Sequence, residues 1–239
     1  MRTRYLTLTA AALALVTHLA CQPQAELEPM TESELVENEA EVVQEVAGVR
    51  AVVDSDAWQG DPEVNELVTP IKLEISNGSD QPLRIRFPNF ALLGAHDRYS
   101  VLPVFGFENV EGTVMLIEGY APVAVPEFSH EEYYVTDYYS AAYPGFTTYE
   151  HALVLDEPYY SRYTVAWDDL PLPTEEMQRW ALPEGVLPPG SSLSGFLFFE
   201  GLHPGEEQVN FLAQFENAET GDYFGAVTVP MEAEDRLEP

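Results

Sequence analysis

The residues with types and spacing suited to chemistry fall into a few groups, each leading to a different reaction class. Asp54, Ser55 and Asp56 with Asp61 begin like a calcium loop, which needs oxygen ligands at alternate positions and a glycine at the sixth. Here Trp58 takes the third ligand position, Gln59 the glycine's and Asn65 the twelfth, so the loop fails as a calcium site. A looser oxygen site including Asp168 and Asp169 is the residual calcium reading, and a solvated acidic surface is the simpler account. His130 with Glu131 and Glu132, and His151 after Glu150, are the nearest transition-metal clusters. Neither has the i, i+4 histidine pair of a helical zinc site, and His96 and His203 stand alone beside turn residues. Gly190-Ser191-Ser192 and Ser194-Gly195 lack the Gly-x-Ser-x-Gly elbow of a serine hydrolase. Glycoside hydrolysis needs two carboxyls at a set separation, and an acidic chain offers so many pairs that their abundance carries no information. No catalytic residue, metal or cofactor is therefore expected; a carboxylate-based hydrolase is the enzymatic alternative.

One unusual feature remains. Ten of the thirteen tyrosines fall between Tyr120 and Tyr163. Tyr133, Tyr134, Tyr138, Tyr139, Tyr143, Tyr149, Tyr159 and Tyr160, with Trp167, make a candidate binding face, because amphipathic aromatics give large contact area at low entropic cost. A glycan or an envelope protein is the ligand such a face suits. The competing reading is that these rings pack on the body of the protein and on one another, tyrosine being also a good strand residue.

The elements that must position these residues read mainly as strands. Ile71, Leu73 and Ile75 alternate with Lys72, Glu74 and Ser76, and Leu83, Ile85 and Phe87 alternate with Arg84 and Arg86, the pattern of half-buried strands. The link Gly78-Ser79-Asp80-Gln81-Pro82 is turn chemistry. A hairpin would set Glu74 across from Arg86, a sheet-to-sheet arch would bury the same residues, and alternation cannot choose between them. Phe196 to Phe199 are apolar on both faces, as in a central strand covered on both sides. Val209 to Phe215 and Tyr223 to Val229 make a hairpin with a longer loop, and Pro230 is expected to end the second strand. Val114 to Ile117 and Tyr163 to Trp167 are further strand candidates, and Thr174 caps a short helix to Trp180. Short strands separated by Gly/Pro turns imply an all-β, two-sheet antiparallel sandwich over residues 49–236, with residues 104–180 as an irregular Tyr-rich insertion lying over it.

Upstream, Arg2 and Arg4 precede an apolar run from Tyr5 to Ala20 that meets the only cysteine, Cys21. A basic start and a short apolar run are the pattern of a secretory signal peptide, here residues 1–20. Residues 21–48 carry eight glutamates at positions 26–45 and no basic side chain, which favours a flexible, acidic tether. Within it, Thr31 to Ala47 has a weak helical pattern, with Thr31 and Glu34 as a capping box and Gly48 at its end.

The formal charge is −31, and removing residues 1–20, with Arg2 and Arg4 and no acid, leaves −33. A surface of that sign repels phosphate backbones and excludes nucleic-acid binding. It also disfavours direct docking on anionic lipid. Self-repulsion is relieved by salt, so the thermal midpoint is expected to rise clearly as salt is added; a flat response would contradict this.

Two resemblances follow from these residues. Leu19-Ala20-Cys21 resembles the bacterial lipobox, with His18 where an aliphatic residue is usual; the resemblance implies a lipid on Cys21, an exported protein and, since Gln22 is not the inner-membrane aspartate, the outer membrane. Thr69-Pro70-Ile71 through Asn77-Gly78-Ser79 to Phe90-Ala91-Leu92, and Pro189-Gly190 before Ser194-Gly195-Phe196, resemble immunoglobulin-like domains of exported bacterial lipoproteins. That resemblance implies a fold and no active site. The expected function is a non-catalytic binding or structural module of the cell envelope, anchored to the membrane through Cys21 and contacting an envelope protein, with a glycan-binding module as the alternative.

Overall fold

The computed structural model describes residues 25–30, 41–104, 107–110, 113–116, 127–140, 142–149, 156–160, 162–163, 172 and 174–235. The expected leader 1–20, Cys21, Tyr120, Glu150, His151, Trp167, Asp168 and Asp169, and nearly all of the strand expected over 163–167, lie outside these residues.

Two sheets pack face to face as an all-β sandwich. The larger holds β1 (Ala25–Pro29), β5 (Leu83–Ile85), β6 (Phe90–Leu93), β7 (Arg98–Ser100), β11 (Tyr134–Val135), β12 (Thr147–Thr148), β13 (Gly185–Leu187), β15 (Gln208–Asn217) and β16 (Tyr223–Asp235). Its order is β1-β16-β15-β5-β13-β11-β12, with β6 sharing the edge of β15 and β7 outside β6. The smaller sheet runs β10-β14-β4-β3-β2, from β2 (Glu41–Val46), β3 (Val49–Asp54), β4 (Val68–Asn77), β10 (Ser129–Glu131) and β14 (Ser192–Glu200). Every neighbouring pair in it is antiparallel. A separate hairpin joins β8 (Phe107–Val110) to β9 (Thr113–Leu116).

Alternation decides the faces. Ile71, Leu73 and Ile75 on β4 are fully buried, and Val209, Phe211, Ala213 and Phe215 on β15 face them from the other sheet within one apolar cluster. Phe199 of β14 meets Phe211 of β15 edge-on at 6.1 Å, across the sandwich. The opposite face of β14 is also covered. Phe196 and Phe198 lie 5.1 and 5.3 Å from Trp58, edge to face, and Trp180 closes on Phe196 from a short helix, α3 (Glu175–Trp180). Thr174 caps that helix by accepting from the Met177 N–H at 3.2 Å, as its position before two glutamates predicts. Two other short helices are α1 (Pro62–Leu67) and α2 (Glu157–Tyr160).

The link at residues 78–82 is an arch. It carries the chain from β4 in the smaller sheet to β5 in the larger, so Glu74 never faces Arg86 and pairs instead with Arg50 at 3.3 Å. Asn77 organises the crossing: its Nδ2 donates to Gln81 O and Leu187 O, and its Oδ1 accepts from the Ser79 N–H and hydroxyl.

Four expectations need correction. Within the acidic stretch 21–48, residues 25–29 and 41–46 are strands and not free tether. Leu27 is buried where β1 pairs with β16, and Val42 is buried where β2 pairs with β3. Apolar side chains at alternate positions outweigh the glutamates between them once a partner strand covers one face. For the same reason residues 41–46 are not helical. Val42 and Val46 suit either period, and the turn at Ala47 (φ 53°) and Gly48 (φ 82°) closes a two-residue hairpin in which both central residues take positive φ. Pro230 does not end its strand, since β16 continues to Asp235 by pairing with β1 beyond it, and the Pro230 carbonyl accepts from the Met30 N–H. The Tyr-rich region does not simply lie over the sandwich: β10 extends the smaller sheet, and β11 and β12 extend the larger.

Candidate functional site

The densest polar chemistry in the described residues is built around Glu184. It stands immediately before β13, which is held between β5 and β11 with Gly185 opposite both Ile85 and Val135. That register turns the Glu184 side chain into the Tyr-rich layer. Gly185 is required there, because a Cβ would lie 2.1 Å from Tyr134 O and 2.6 Å from the Tyr133 hydroxyl. The neighbouring backbone is also tied, the Thr136 N–H donating to Glu184 O at 3.0 Å.

Glu184 is fully buried, and its carboxyl accepts three hydrogen bonds. The Tyr138 and Tyr160 hydroxyls both donate to Oε2, and the Phe87 N–H donates to Oε1 at 2.8 Å. Burial pushes the Glu184 carboxyl above its ordinary value, against the lowering effect of those donors and of the Arg86 charge. The surrounding phenols respond to the same enclosure. Burial first, and the Glu184 charge second, hold Tyr133, Tyr138, Tyr139 and Tyr160 well above the ordinary tyrosine value. Tyr143 and Tyr159 are raised chiefly by burial too, and Tyr99 and Tyr163 less strongly.

This arrangement gathers most of the tyrosines that the sequence singles out, but not as a face. Tyr133, Tyr139, Tyr143, Tyr159 and Tyr160 are buried, and only Tyr134, Tyr138 and Tyr149 keep partial exposure. Rings pack on rings: Tyr138 on Tyr139 at 4.9 Å, Tyr159 on Tyr160 at 5.5 Å, Tyr139 on Tyr143 at 6.1 Å. Their hydroxyls reach protein partners, such as Pro183 O for Tyr133 and Val101 O for Tyr159. The expected binding face is corrected on this ground, because an apolar ring gains more from the core than from water and the Tyr133, Tyr138, Tyr159 and Tyr160 hydroxyls find acceptors there. Trp167 lies outside the described residues.

Sequence reasoning missed Glu184 itself. Its one local signal is a lone acid between Pro183 and Gly185, ahead of the apolar Val186-Leu187.

Eight phenols raised above 10.0 make a direct prediction for alkaline titration. A raised folded-state pKa contributes stability that is complete below the unfolded value and lost as pH rises through the folded one. The six most strongly raised, Tyr133, Tyr138, Tyr139, Tyr143, Tyr159 and Tyr160, should ionise only together with unfolding, read as loss of the folded circular dichroism. A smooth titration of all tyrosines before any loss of fold would refute the cage.

A second buried carboxylate serves packing of another kind. Glu216 on β15 accepts from Arg84 Nη1 at 2.8 Å and from Asn89 Nδ2 at 3.0 Å, with Arg86 Nη1 at 3.8 Å. Arg84 and Arg86, expected to point outward, are therefore mostly covered, drawn onto Glu216.

The remaining candidates are dispersed. Asp54 Oδ1 accepts from the Asp56 N–H, and Asp61 Oδ1 accepts from the Glu63 N–H as the cap of α1. His130 packs on Phe128 and Phe146, and burial lowers its pKa. His203 Nδ1 lies 3.2 Å from Asp97 on the surface. Ser191 is buried, its N–H donating to Pro188 O in a turn. No three His, Cys, Asp or Glu side chains among the described residues gather as a metal site. No protein-family model, curated protein or solved structure matches this chain.

Proposed function

We propose that this chain is a non-catalytic module of the bacterial cell envelope, exported by its leader, held by a lipid on Cys21 and engaged with an envelope protein. The outer membrane is its proposed site. The observation that carries the reading is the placement of β1, which is paired along its whole length with the last strand of the sandwich. Only Gln22, Pro23 and Gln24 separate Cys21 from that strand. A fully extended chain spans at most about 14 Å over those four steps, so a lipid there would hold the sandwich close against the bilayer. Such a mounting suits a component that meets partners at the membrane rather than one that reaches far from it.

Two further features support a non-catalytic role. Among the described residues, the carboxyl raised by burial, Glu184, is enclosed by its own tyrosines. Tyr138 and Tyr139, on which the glycan reading is tested, are spent in the same cage, so substituting them tests folding, not sugar binding.

The test is affinity capture of the full-length protein from cross-linked native envelopes, with mass spectrometry of what is retained and a Cys21→Ser version alongside. One dominant protein partner whose recovery depends on Cys21 is the expected result. Recovery unchanged by Cys21→Ser, or turnover of an envelope polymer abolished by one carboxylate substitution, would overturn the proposal.

A further inference from the structure

Arginines are scarce in this chain, and most of the described ones are occupied by carboxylates. Arg50 pairs with Glu74, Arg84 and Arg86 with Glu216, and Arg179 with Glu127 and Glu175. Arg98 and Arg162 form no ion pair among the described residues. Both are exposed, and both line one open cleft of about 400 Å³ beside the β7 edge. That volume lies in the range of small-ligand sites, roughly 300–1,000 Å³.

Each guanidinium is held in place by a contact that, among the described residues, leaves most of its donors unused. The Arg162 guanidinium lies over the Tyr159 ring at 4.9 Å and the Tyr163 ring at 5.7 Å. Arg98 Nη2 donates to Pro88 O at 3.1 Å. An arginine carries five N–H donors in a planar fork that matches a carboxylate, so two such groups at one cleft make a site for that anion. Leu67 and Leu102 supply apolar wall between them and the core.

Glu200 sharpens the class of ligand. It lines the same cleft, and its side chain is fixed by the Ser100 N–H at 2.8 Å to Oε2 and the Tyr163 hydroxyl at 3.4 Å to Oε1. A simple anion entering here would meet this carboxylate and the field of a molecule with formal charge −31. A zwitterion meets neither penalty in full: its carboxylate faces the arginines, its ammonium faces Glu200, and its net charge is zero. We infer that this cleft binds a small α-amino acid with an apolar side chain, its carboxylate held by Arg98 and Arg162, its ammonium by Glu200, and its side chain against Leu67 and Leu102. The site goes beyond the envelope role and does not depend on the lipid anchor.

Calorimetric titration of the purified chain with L-leucine and L-phenylalanine tests it, against 4-methylpentanoate, which lacks the ammonium, and 3-methylbutylamine, which lacks the carboxylate. Saturable millimolar or tighter binding of an amino acid is expected, with each truncated analogue weaker by about tenfold or more, which corresponds to at least about 1.4 kcal/mol. Arg162→Gln and Glu200→Gln should each weaken the amino acid by a similar factor, and Arg162→Gln should leave the affinity for the amine unchanged. Because Arg162 is exposed, its variant is expected to fold, and circular dichroism checks this. Absence of binding by both amino acids, equal binding of 4-methylpentanoate, or unchanged affinity in folded Arg162→Gln would overturn the assignment.

Discussion

Glu184→Ala is expected to lower the free energy of unfolding by on the order of 3–5 kcal/mol, since it strands three buried donors at once. The Tyr138 and Tyr160 hydroxyls and the Phe87 N–H all point at the deleted carboxyl. A phenol can rotate its proton, but a backbone N–H cannot, and the cavity left behind is lined by rings that pack on one another. Urea unfolding followed by tyrosine fluorescence reads the change directly; a loss below about 1 kcal/mol would place the cage outside the forces that hold the fold.

Glu184→Gln separates charge from shape at the same position. The wild-type carboxyl is raised by burial above its ordinary value of 4.5. Its contribution is therefore complete below that value and is lost as pH rises through the folded-state pKa. The amide keeps an acceptor for the tyrosines and has no proton to lose. The wild type should fall in stability from acid toward neutral pH more steeply than Glu184→Gln. General repulsion among the surface acids affects both proteins alike and cancels in the difference. Parallel curves of Tm against pH would rule out a buried, proton-retaining Glu184.

The second large effect belongs to Glu216. Removing one member of a buried ion pair costs about 3–5 kcal/mol, and the partial exposure of both arginines brings the expected loss for Glu216→Ala to about 2–4 kcal/mol. Arg84 sits 2.8 Å from this carboxylate, and Asn89, bonded to it, also accepts from the Tyr223 hydroxyl at 3.1 Å. The deletion thus loosens the strand end as well as the pair. Arg84→Met combined with Glu216→Leu should recover part of the loss, giving a coupling of about 1–3 kcal/mol in a double-mutant cycle. Strict additivity of the two changes would mean that the pair is not coupled in solution.

The candidate site was only half legible. The unusual density of tyrosines between Tyr120 and Tyr163 marks the region where polar chemistry concentrates, and the cage forms there. What the sequence does not convey is that these rings turn inward, because tyrosine is equally at home in a core and on a binding face. Nor does it connect them to Glu184, which follows Tyr160, the nearest of the caged tyrosines, by twenty-four residues and reaches them because β13 pairs with β11. Arg98 and Arg162 are farther apart still, brought to one cleft by β7 and by the turn after α2.

Local pattern by itself determined the strands of β4, β14, β15 and β16, their buried faces, the cap of α3 and the sandwich class. In each, a side-chain period or a capping hydroxyl acts within a few residues, so no distant partner is needed to read it. Only the tertiary structure decided what depends on pairing. Residues 78–82 became an arch, since burying Ile75 and Leu83 is served equally by one sheet or two until Asn77 bonds Leu187 across them. Residues 25–29 and 41–46 became strands despite their glutamates, since a half-apolar segment gains its ladder of hydrogen bonds and its buried face only when β16 and β3 lie beside it.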